Sequence, residues 1–377
     1  MPIFTDDELR NAIAEGSIRG ISLDTNIFHK LGYDLNVTTL RKLDQFKETN
    51  ISVIFSEIVI REVKKHISEK AEETRQSLAS SLRKHQKRWN AGFDIDQVSR
   101  TVGIAGDPVE LASSQVTDFV DQIGASIVPV NGNVDIDVLT GRYFDTKSPF
   151  ENNAKKKAEF PDAMALLSLE SWAMRHGSFV LLVSDDSGWQ KFAEESERLI
   201  CLKSIEVALD HFNGAGRFVA DQAVSMLRNG AAEDLTSEID TTIQARLDDN
   251  DFSIEADSHL SLDWDGMYAS LQHWAVAEFS HPRIIASDDE TVTFAIDLSC
   301  IVEFTADFYF SVYDSVDLDQ VNMGSEEFSK ENTIQLAAVL TISRDMDPEP
   351  ELIEASITTQ RIEADFGYIE PDWGYEE

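Results

Sequence analysis

Short apolar runs alternate with amphipathic stretches along roughly the first 210 residues of the chain. The apolar runs are typical of buried strands and lie at 20–26, 51–56, 125–130, 178–184 and 199–202. The amphipathic stretches predict helices near 5–16, 38–49, 57–90 (with an interruption), 109–123, 161–176, 187–196 and 204–212, with loops at 92–108 and 131–160. Strands that alternate with helices predict an α/β fold, in which helices cover a parallel sheet on both faces.

The pattern changes after about residue 250, where long β-type runs follow one another with little helix between them. These runs lie at 291–298, 301–312, 333–343 and 351–366, and one helix is predicted over about 265–279. A mainly antiparallel (α+β) domain is the natural expectation. We therefore predict a first domain at 1–230, an acidic linker at 231–252 and a second domain at 253–377.

Charge separates the same two parts. The net charge is −37, and residues 231–377 hold 35 Asp and Glu against 5 Lys and Arg, whereas residues 1–230 hold 34 against 27. Binding to phosphates requires a cationic surface, so the acidic second part should repel nucleic acid. We expect this part to be a regulatory or partner-binding module. It could dock on the basic stretch 61–90 of the same chain or bind a basic partner protein.

Composition also excludes several classes of protein. The chain has no run of about 18 apolar residues, so no membrane span is expected. Its acidic start lacks the pattern of a signal peptide. Only Cys201 and Cys300 are present, which excludes a disulfide scaffold and a cysteine-based zinc site and is consistent with a cytoplasmic location.

Acidic side chains follow the predicted strands of the first domain. They are Asp24 after the first strand, Glu57 and Glu62 after the second, Asp162 at the start of a helix, and Asp185 and Asp186 after the fourth strand. Ligands bind beyond the carboxyl ends of parallel strands, where these carboxylates would repel one another. Mg²⁺ or Mn²⁺ would relieve that repulsion, and the absence of histidine from the set argues against zinc.

Four short motifs at these positions resemble those of the PIN-domain nucleases. They are Leu-Asp-Thr-Asn-Ile-Phe at 23–28, Ser-Glu-Ile-Val-Ile-Arg-Glu-Val at 56–63, Phe-Pro-Asp-Ala at 160–163, and Leu-Val-Ser-Asp-Asp-Ser-Gly-Trp at 182–189. Their order along the chain and the α/β pattern agree with that family. The resemblance covers roughly 20–210. The span between the second and third motifs is longer than in the small toxin members of the family.

The resemblance implies a nuclease that uses Mg²⁺ or Mn²⁺, most often an endoribonuclease, in which the metal activates the attacking water. It assigns the acid positions, as catalytic and metal-binding residues, to Asp24, Glu62, Asp162 and Asp186, with Asp185 as the alternative to Asp186. Asn26 and Ser184 would then support the ligands by hydrogen bonding. The architecture would suit a bacterial toxin or an anti-phage defence effector. Two alternatives remain at this stage: a catalytically idle scaffold, and a nuclease that cleaves DNA.

Basic residues near the acids have two interpretations. Arg61, Lys64 and Lys65 begin a stretch that continues with Lys70, Arg75, Arg83, Lys84, Lys87 and Arg88, and Lys155, Lys156 and Lys157 precede the third motif. Such residues either form a solvated helix face or contact the phosphates of an RNA substrate.

Overall fold

The computed structural model describes residues 5–47, 49–103, 106–150, 159–249, 252–314, 319–346, 349–358 and 361–371. The chain divides into two compact units, Met1–Phe212 and Asn213–Glu377. No helix in these described ranges is long and apolar enough to cross a membrane.

Unit 1 is built on a five-stranded parallel sheet, as the alternating pattern predicts. Its strands are β1 (Ile18–Leu23), β2 (Ser52–Ser56), β3 (Ser126–Val128), β4 (Phe179–Val183) and β5 (Leu199–Leu202). Their order across the sheet is β3-β2-β1-β4-β5, and every neighbouring pair is parallel. The central strands are apolar and almost entirely buried, which fits a sheet covered on both faces.

Helices surround this sheet. They are α1 (Asp6–Ala14), α2 (Thr25–Lys30), α3 (Thr38–Arg41), α4 (Glu57–Trp89), α5 (Ile95–Thr101), α6 (Pro108–Ile123), α7 (Ile136–Asp145), α8 (Phe160–His176), α9 (Ser187–Glu195) and α10 (Ile205–Phe212), with a 3-10 turn at Lys42–Phe46. Helix α4 runs without the expected interruption. The expected loops at 92–108 and 131–160 contain α5 and α7, each of which begins at an aspartate whose side chain caps the helix.

Unit 2 contains a large antiparallel sheet. The strands of unit 2 are β6 (Phe252–Asp257), β7 (Ser261–Val276), β8 (Arg283–Ser287), β9 (Thr291–Asp314), β10 (Asp319–Ser343), β11 (Leu352–Ile357) and β12 (Ile362–Tyr368). The main sheet has the order β11-β10-β9-β7, with β8 paired to β9, while β6 and β12 form a separate parallel pair. The antiparallel prediction is therefore confirmed.

The prediction of a helix over 265–279 is wrong, because most of that stretch belongs to β7. Its pairing with β9 extends from Ser261 opposite Ser311 to Val276 opposite Leu298. Side chains such as Trp274 and Val276 are buried against the core by this pairing. Long-range strand pairing has overridden a local helical pattern here.

The stretch 231–252, expected to be an acidic linker, is mainly a packed helix. Unit 2 contains α11 (Arg217–Asn229), a 3-10 turn at Gly214–Gly216, and α12 (Glu233–Asp248). Helix α12 buries Leu235, Ile239, Ile243 and Leu247, which recur every four residues and join the core of unit 2. The division between the units falls at Phe212, eighteen residues before the expected boundary at 230. Because the other face of α12 is acidic, the composition of this stretch predicted a linker and did not reveal the apolar stripe.

Candidate active site

The strand order of unit 1 reverses between β1 and β4, and chemistry-bearing side chains follow both strands. From β1 the chain passes through β2 to β3 at one edge of the sheet. It then returns to β4, beside β1, and continues to β5 at the other edge. Such a switch point leaves a crevice beyond the carboxyl ends of the two strands. Asp24 directly follows β1, and Ser184, Asp185 and Asp186 directly follow β4. The crevice is therefore lined by the first and fourth motifs.

The Ser184 hydroxyl joins these two strand ends. Its Oγ donates to Asp24 Oδ2 over 2.6 Å and accepts from Asn26 Nδ2 at 3.0 Å. The backbone N–H of Asp186 also donates to the same oxygen at 3.0 Å. One buried hydroxyl thus fixes the positions of three other residues of the crevice.

Asp24 is a buried carboxylate with an unusual proton affinity. It is the N-terminal cap residue of α2, yet its side chain does not cap the helix, and the residue is only 5% exposed. Burial raises the pKa of Asp24 to about 7, the bond from Ser184 opposes that rise, and the charges of Asp162 and Asp186 add to it. Asp24 is therefore close to acids from the third and fourth motifs.

Asp162 lies in the first turn of α8 and belongs to the same electrostatic group. Its Oδ1 accepts a hydrogen bond of 3.0 Å from the indole Nε1 of Trp189. Burial raises the pKa of Asp162 to about 6, and the charges of Glu62 and Asp186 raise it further against the Trp189 bond. Acids from all four motifs therefore influence one another at this edge of the sheet.

The two glutamates after β2 have different surroundings. Glu62 accepts a 2.7 Å hydrogen bond from Thr25 Oγ1 and stands near Asp162. Glu57 instead accepts the backbone N–H of Val130 and pairs with Arg61, and the Val130 bond lowers its pKa. The structure thus places Glu62 in the crevice and occupies Glu57 elsewhere.

The neighbouring aspartates after β4 also differ. Asp186 caps α9 with Oδ1, which accepts from the N–H groups of Gly188 and Trp189 at 2.7 and 3.1 Å. Asp185 turns outward and forms an ion pair of 2.7 Å with Lys30. Because Asp186 acts electrostatically on both Asp24 and Asp162, the geometry favours it over Asp185 as the fourth acid of the crevice.

Two features of the crevice favour a bound cation, and one does not. Asn26 Oδ1 is buried and accepts no hydrogen bond from the residues described, so this amide oxygen faces no donor. Buried carboxylates that repel one another also favour a positive charge between them. However, no three His, Cys, Asp or Glu side chains of the described ranges stand close enough to enclose a metal ion. The arrangement fits an ion that is held by few protein oxygens and completed by water and phosphate, as Mg²⁺ usually is.

The basic residues expected to contact nucleic acid are mostly engaged with neighbours. Arg61 pairs with Glu57, Lys64 Nζ donates to Ser113 Oγ at 3.3 Å, and Lys65 lies 3.7 Å from Glu69. Lys155, Lys156 and Lys157 lie outside the described residues.

Three residues of the crevice had no role in the sequence analysis. Thr25 orients Glu62, Trp189 orients Asp162, and Lys30 holds Asp185 away. Thr25 and Trp189 lie within the first and fourth motifs, so their position beside the acids was a usable signal. The pairing of Lys30 across 155 residues of sequence had no such signal.

Comparison with protein families assigns the crevice to a known domain. A family model described as PIN domain matches residues 21–189, which include all four acids and Ser184. PIN domains are typically nucleases and generally use divalent metal ions. Searches of curated proteins and of solved structures found no match. The family match, the parallel sheet and the acids at its carboxyl edge agree, and residues 21–189 of this chain are a PIN domain.

Proposed function

We propose that this protein is a metal-dependent endoribonuclease. The supporting observation is the mutual repulsion of Asp24, Asp162, Asp186 and Glu62. Two of them, buried Asp24 and half-buried Asp162, have raised pKa values. Such a cluster is costly for an idle fold, because a buried charge without a partner destabilises the native state. In a site that binds a cation and a phosphodiester, the cation would offset the repulsion between these carboxylates.

The four acids would hold Mg²⁺ or Mn²⁺, with Asp185 outside the set because of its pair with Lys30. When bound, a divalent ion lowers the pKa of water and offsets charge on the phosphate. To hold a cation, Asp24 would release the proton that it retains near neutral pH. Ser184 and Asn26 would keep Asp24 and Asp186 in place during this change.

RNA is the preferred substrate because most nucleases that carry these four motifs act on RNA, and DNA is the alternative. Recognition of the 2′-hydroxyl leaves no short motif that would separate them. Arg61, Lys64 and Lys65 are proposed phosphate contacts on the exposed side of α4. Arg61 and Lys65 pair with glutamates of the same helix, and exposed ion pairs are weak enough to exchange with a phosphate. Lys64 is half-buried and would have to leave the Ser113 hydroxyl. A role as a toxin or defence effector belongs to the same proposal.

Cleavage of labelled single-stranded RNA and DNA, with Mn²⁺, Mg²⁺ or EDTA, tests this function. We expect RNA to be cut with either metal, EDTA to stop the reaction, and Asp162→Asn to be inactive while folded. DNA cleavage with the same dependence would change the substrate. A folded wild-type protein that cuts neither polymer, alone or with unit 2 removed, would favour the scaffold alternative.

Unit 2 is proposed to be a regulatory or partner-binding module. Its strands β7, β9 and β10 present acids directly opposite one another, such as Asp265, Asp307 and Glu327, on their exposed face. Such a face would bind a basic partner and repel RNA. Equal RNA affinity and cleavage for residues 1–212 and for the full chain would contradict a regulatory role in RNA cleavage.

A further inference from the structure

Helix α4 continues far beyond the part of it that is packed. It has 33 residues, but its buried side chains, Val59, Ile60, Val63 and Ile67, all lie within the first three turns. Helix α6 runs beside α4 only as far as its own start, where the charge of Asp107 acts on Arg75. Beyond that point α4 meets the short stretch after it, where Gln86 donates to the carbonyl of Phe93 and the His85 and Phe93 rings lie 6.1 Å apart. We define residues 76–93 as the arm.

The arm differs in charge from the rest of the chain. Its eighteen residues contain Arg83, Lys84, Lys87 and Arg88 and no Asp or Glu, whereas the whole chain has a net charge of −37. All four cationic side chains are exposed. Spacings of three and four residues place them on one face of the helix. The arm is therefore a compact cationic surface on an acidic protein.

These four cations also lack the pairing seen closer to the crevice. On α4 before the arm, Arg61, Lys65 and Arg75 each pair with a glutamate three or four residues away. Within the described residues, no ion pair involves the arm cations. Arg83 and Lys87, like Lys84 and Arg88, stand one helical turn apart, where like charges destabilise the helix. An anionic ligand would reverse that repulsion.

An aromatic side chain completes this surface. Trp89 is 65% exposed at the end of α4, and the Arg88 guanidinium lies 5.3 Å from its ring centroid. Exposed aromatic rings beside cations provide stacking platforms for the bases of nucleic acids. A solvated helix face has no need of such a ring.

We propose that the arm is a second RNA-binding site, which holds the substrate backbone far from the scissile bond. This inference rests on the proposed function. At 1.5 Å per residue, the arm cations lie about 32–39 Å along α4 from Glu62. At about 3.4 Å per nucleotide of a stacked strand, that distance corresponds to about ten nucleotides. The enzyme should therefore bind RNA of at least that span more tightly than short RNA.

RNA binding by the full-length Asp24→Asn protein in EDTA provides the test, because it does not depend on cleavage. In this background, Arg83, Lys84, Lys87 and Arg88 are all replaced by Gln, which preserves helix propensity. The matched control replaces Lys47, Lys147, Arg175 and Lys191, four exposed cations elsewhere in unit 1, by Gln. Fluorescence anisotropy then compares a labelled, unstructured single-stranded RNA of about twenty nucleotides with one of about four, over a range of salt concentrations.

The arm variant should bind the long RNA roughly ten- to hundredfold more weakly than the control, with a salt slope lower by about 3. Both variants should bind the short RNA equally. Trp89→Ala should weaken long-RNA binding about tenfold. An arm variant that matches the control on long RNA, or binds it more tightly because an acidic surface has been released from the arm, would overturn the proposal. Arm-dependent binding that favours duplex DNA over RNA would overturn its choice of ligand.

The same variants in the otherwise wild-type chain separate this proposal from the proposed function. Loss of binding without any cleavage by the wild type would support the arm and refute the nuclease. Normal cleavage of long RNA with an unchanged KM in the arm variant would support the nuclease and refute the arm.

Discussion

The two units of this protein both gather acids, but they place them in opposite environments. In unit 1, Asp24 and Asp162 lie in a crevice, where burial raises their pKa values to about 7 and about 6. In unit 2, half-buried Asp307 lies directly opposite Asp265 on one neighbouring strand and Glu327 on the other, and both of these outer acids are exposed. Acidic composition is common to both, and solvent access is the difference.

That difference decides what each group of acids can do. Water and salt screen exposed charges, so a row of carboxylates on a sheet face costs little and can bind a basic partner. Burial strengthens the repulsion between carboxylates several-fold, because the effective dielectric constant is lower. The buried group therefore requires a proton or a cation, and the exposed group requires neither.

The largest effect expected from this comparison is on cleavage. Asp24→Asn keeps an oxygen that can accept from Ser184 but removes the buried charge that would hold a cation. We expect RNA cleavage to fall at least about a thousandfold, in line with the loss of a group that positions a catalytic metal. Single-turnover cleavage with Mn²⁺ measures this.

Asp185→Asn is the matched control for that variant. It removes the same functional group at the end of the neighbouring strand β4, where the carboxylate pairs with Lys30 at the surface. We expect cleavage within about threefold of the wild type, because exposed ion pairs contribute little. Equal losses in the two variants would contradict the assignment of Asp186, rather than Asp185, to the crevice.

The sequence predicted much of this crevice because strand ends are visible in it. Apolar runs that stop at polar residues located β1 and β4, so Asp24 followed from the pattern, and the resemblance to PIN-domain nucleases added Ser184. The strand pattern alone did not separate Asp185 from Asp186, and only the resemblance favoured Asp186. Of the two residues, Asp186 caps α9, whereas Asp185 pairs with Lys30, which only folding brings close to it.

Unit 2 was harder to predict for a different reason. Strand β7 looked helical because its character depends on pairing with β9, more than twenty residues later in the chain. Helix α12 was hidden by its acids, although Leu235, Ile239 and Ile243 recur at helical spacing. Local composition described the surfaces of both elements, whereas long-range packing decided their structures.

The next effect concerns stability and pH in unit 1. Between about pH 4 and pH 7, folded Asp24 holds a proton that the unfolded chain releases, since its folded pKa is about 7 against an ordinary value of 3.8. The free energy of unfolding should therefore fall as the pH rises through this range. Asp24→Asn should match the wild type near pH 4 and exceed its stability at pH 8 by about 2–4 kcal/mol.

Hydrogen exchange of the β1 and β4 amides measures this change in unit 1 alone, since a single global transition would combine the two units. Mn²⁺ at pH 8 should protect the same amides in the wild type and much less in Asp24→Asn. Stability that rises with pH in the wild type would show that Asp24 is not a buried, proton-binding carboxylate.

The smallest effect is expected on the exposed face of unit 2. Asp307 lies between Asp265 and Glu327, so Asp307→Asn removes two direct cross-strand repulsions and should stabilise unit 2 by a few tenths of a kcal/mol. Glu278→Gln, at an exposed position after β7, removes one charge outside the paired strands and serves as the control. Denaturant unfolding followed by the near-ultraviolet signal of unit 2 measures both. A gain above about 2 kcal/mol for Asp307→Asn would mean that solvent does not screen this face, since measured cross-strand pair energies stay below about 1 kcal/mol each. The acids of unit 2 would then repel one another as strongly as buried acids do, and the contrast with the crevice of unit 1 would not hold.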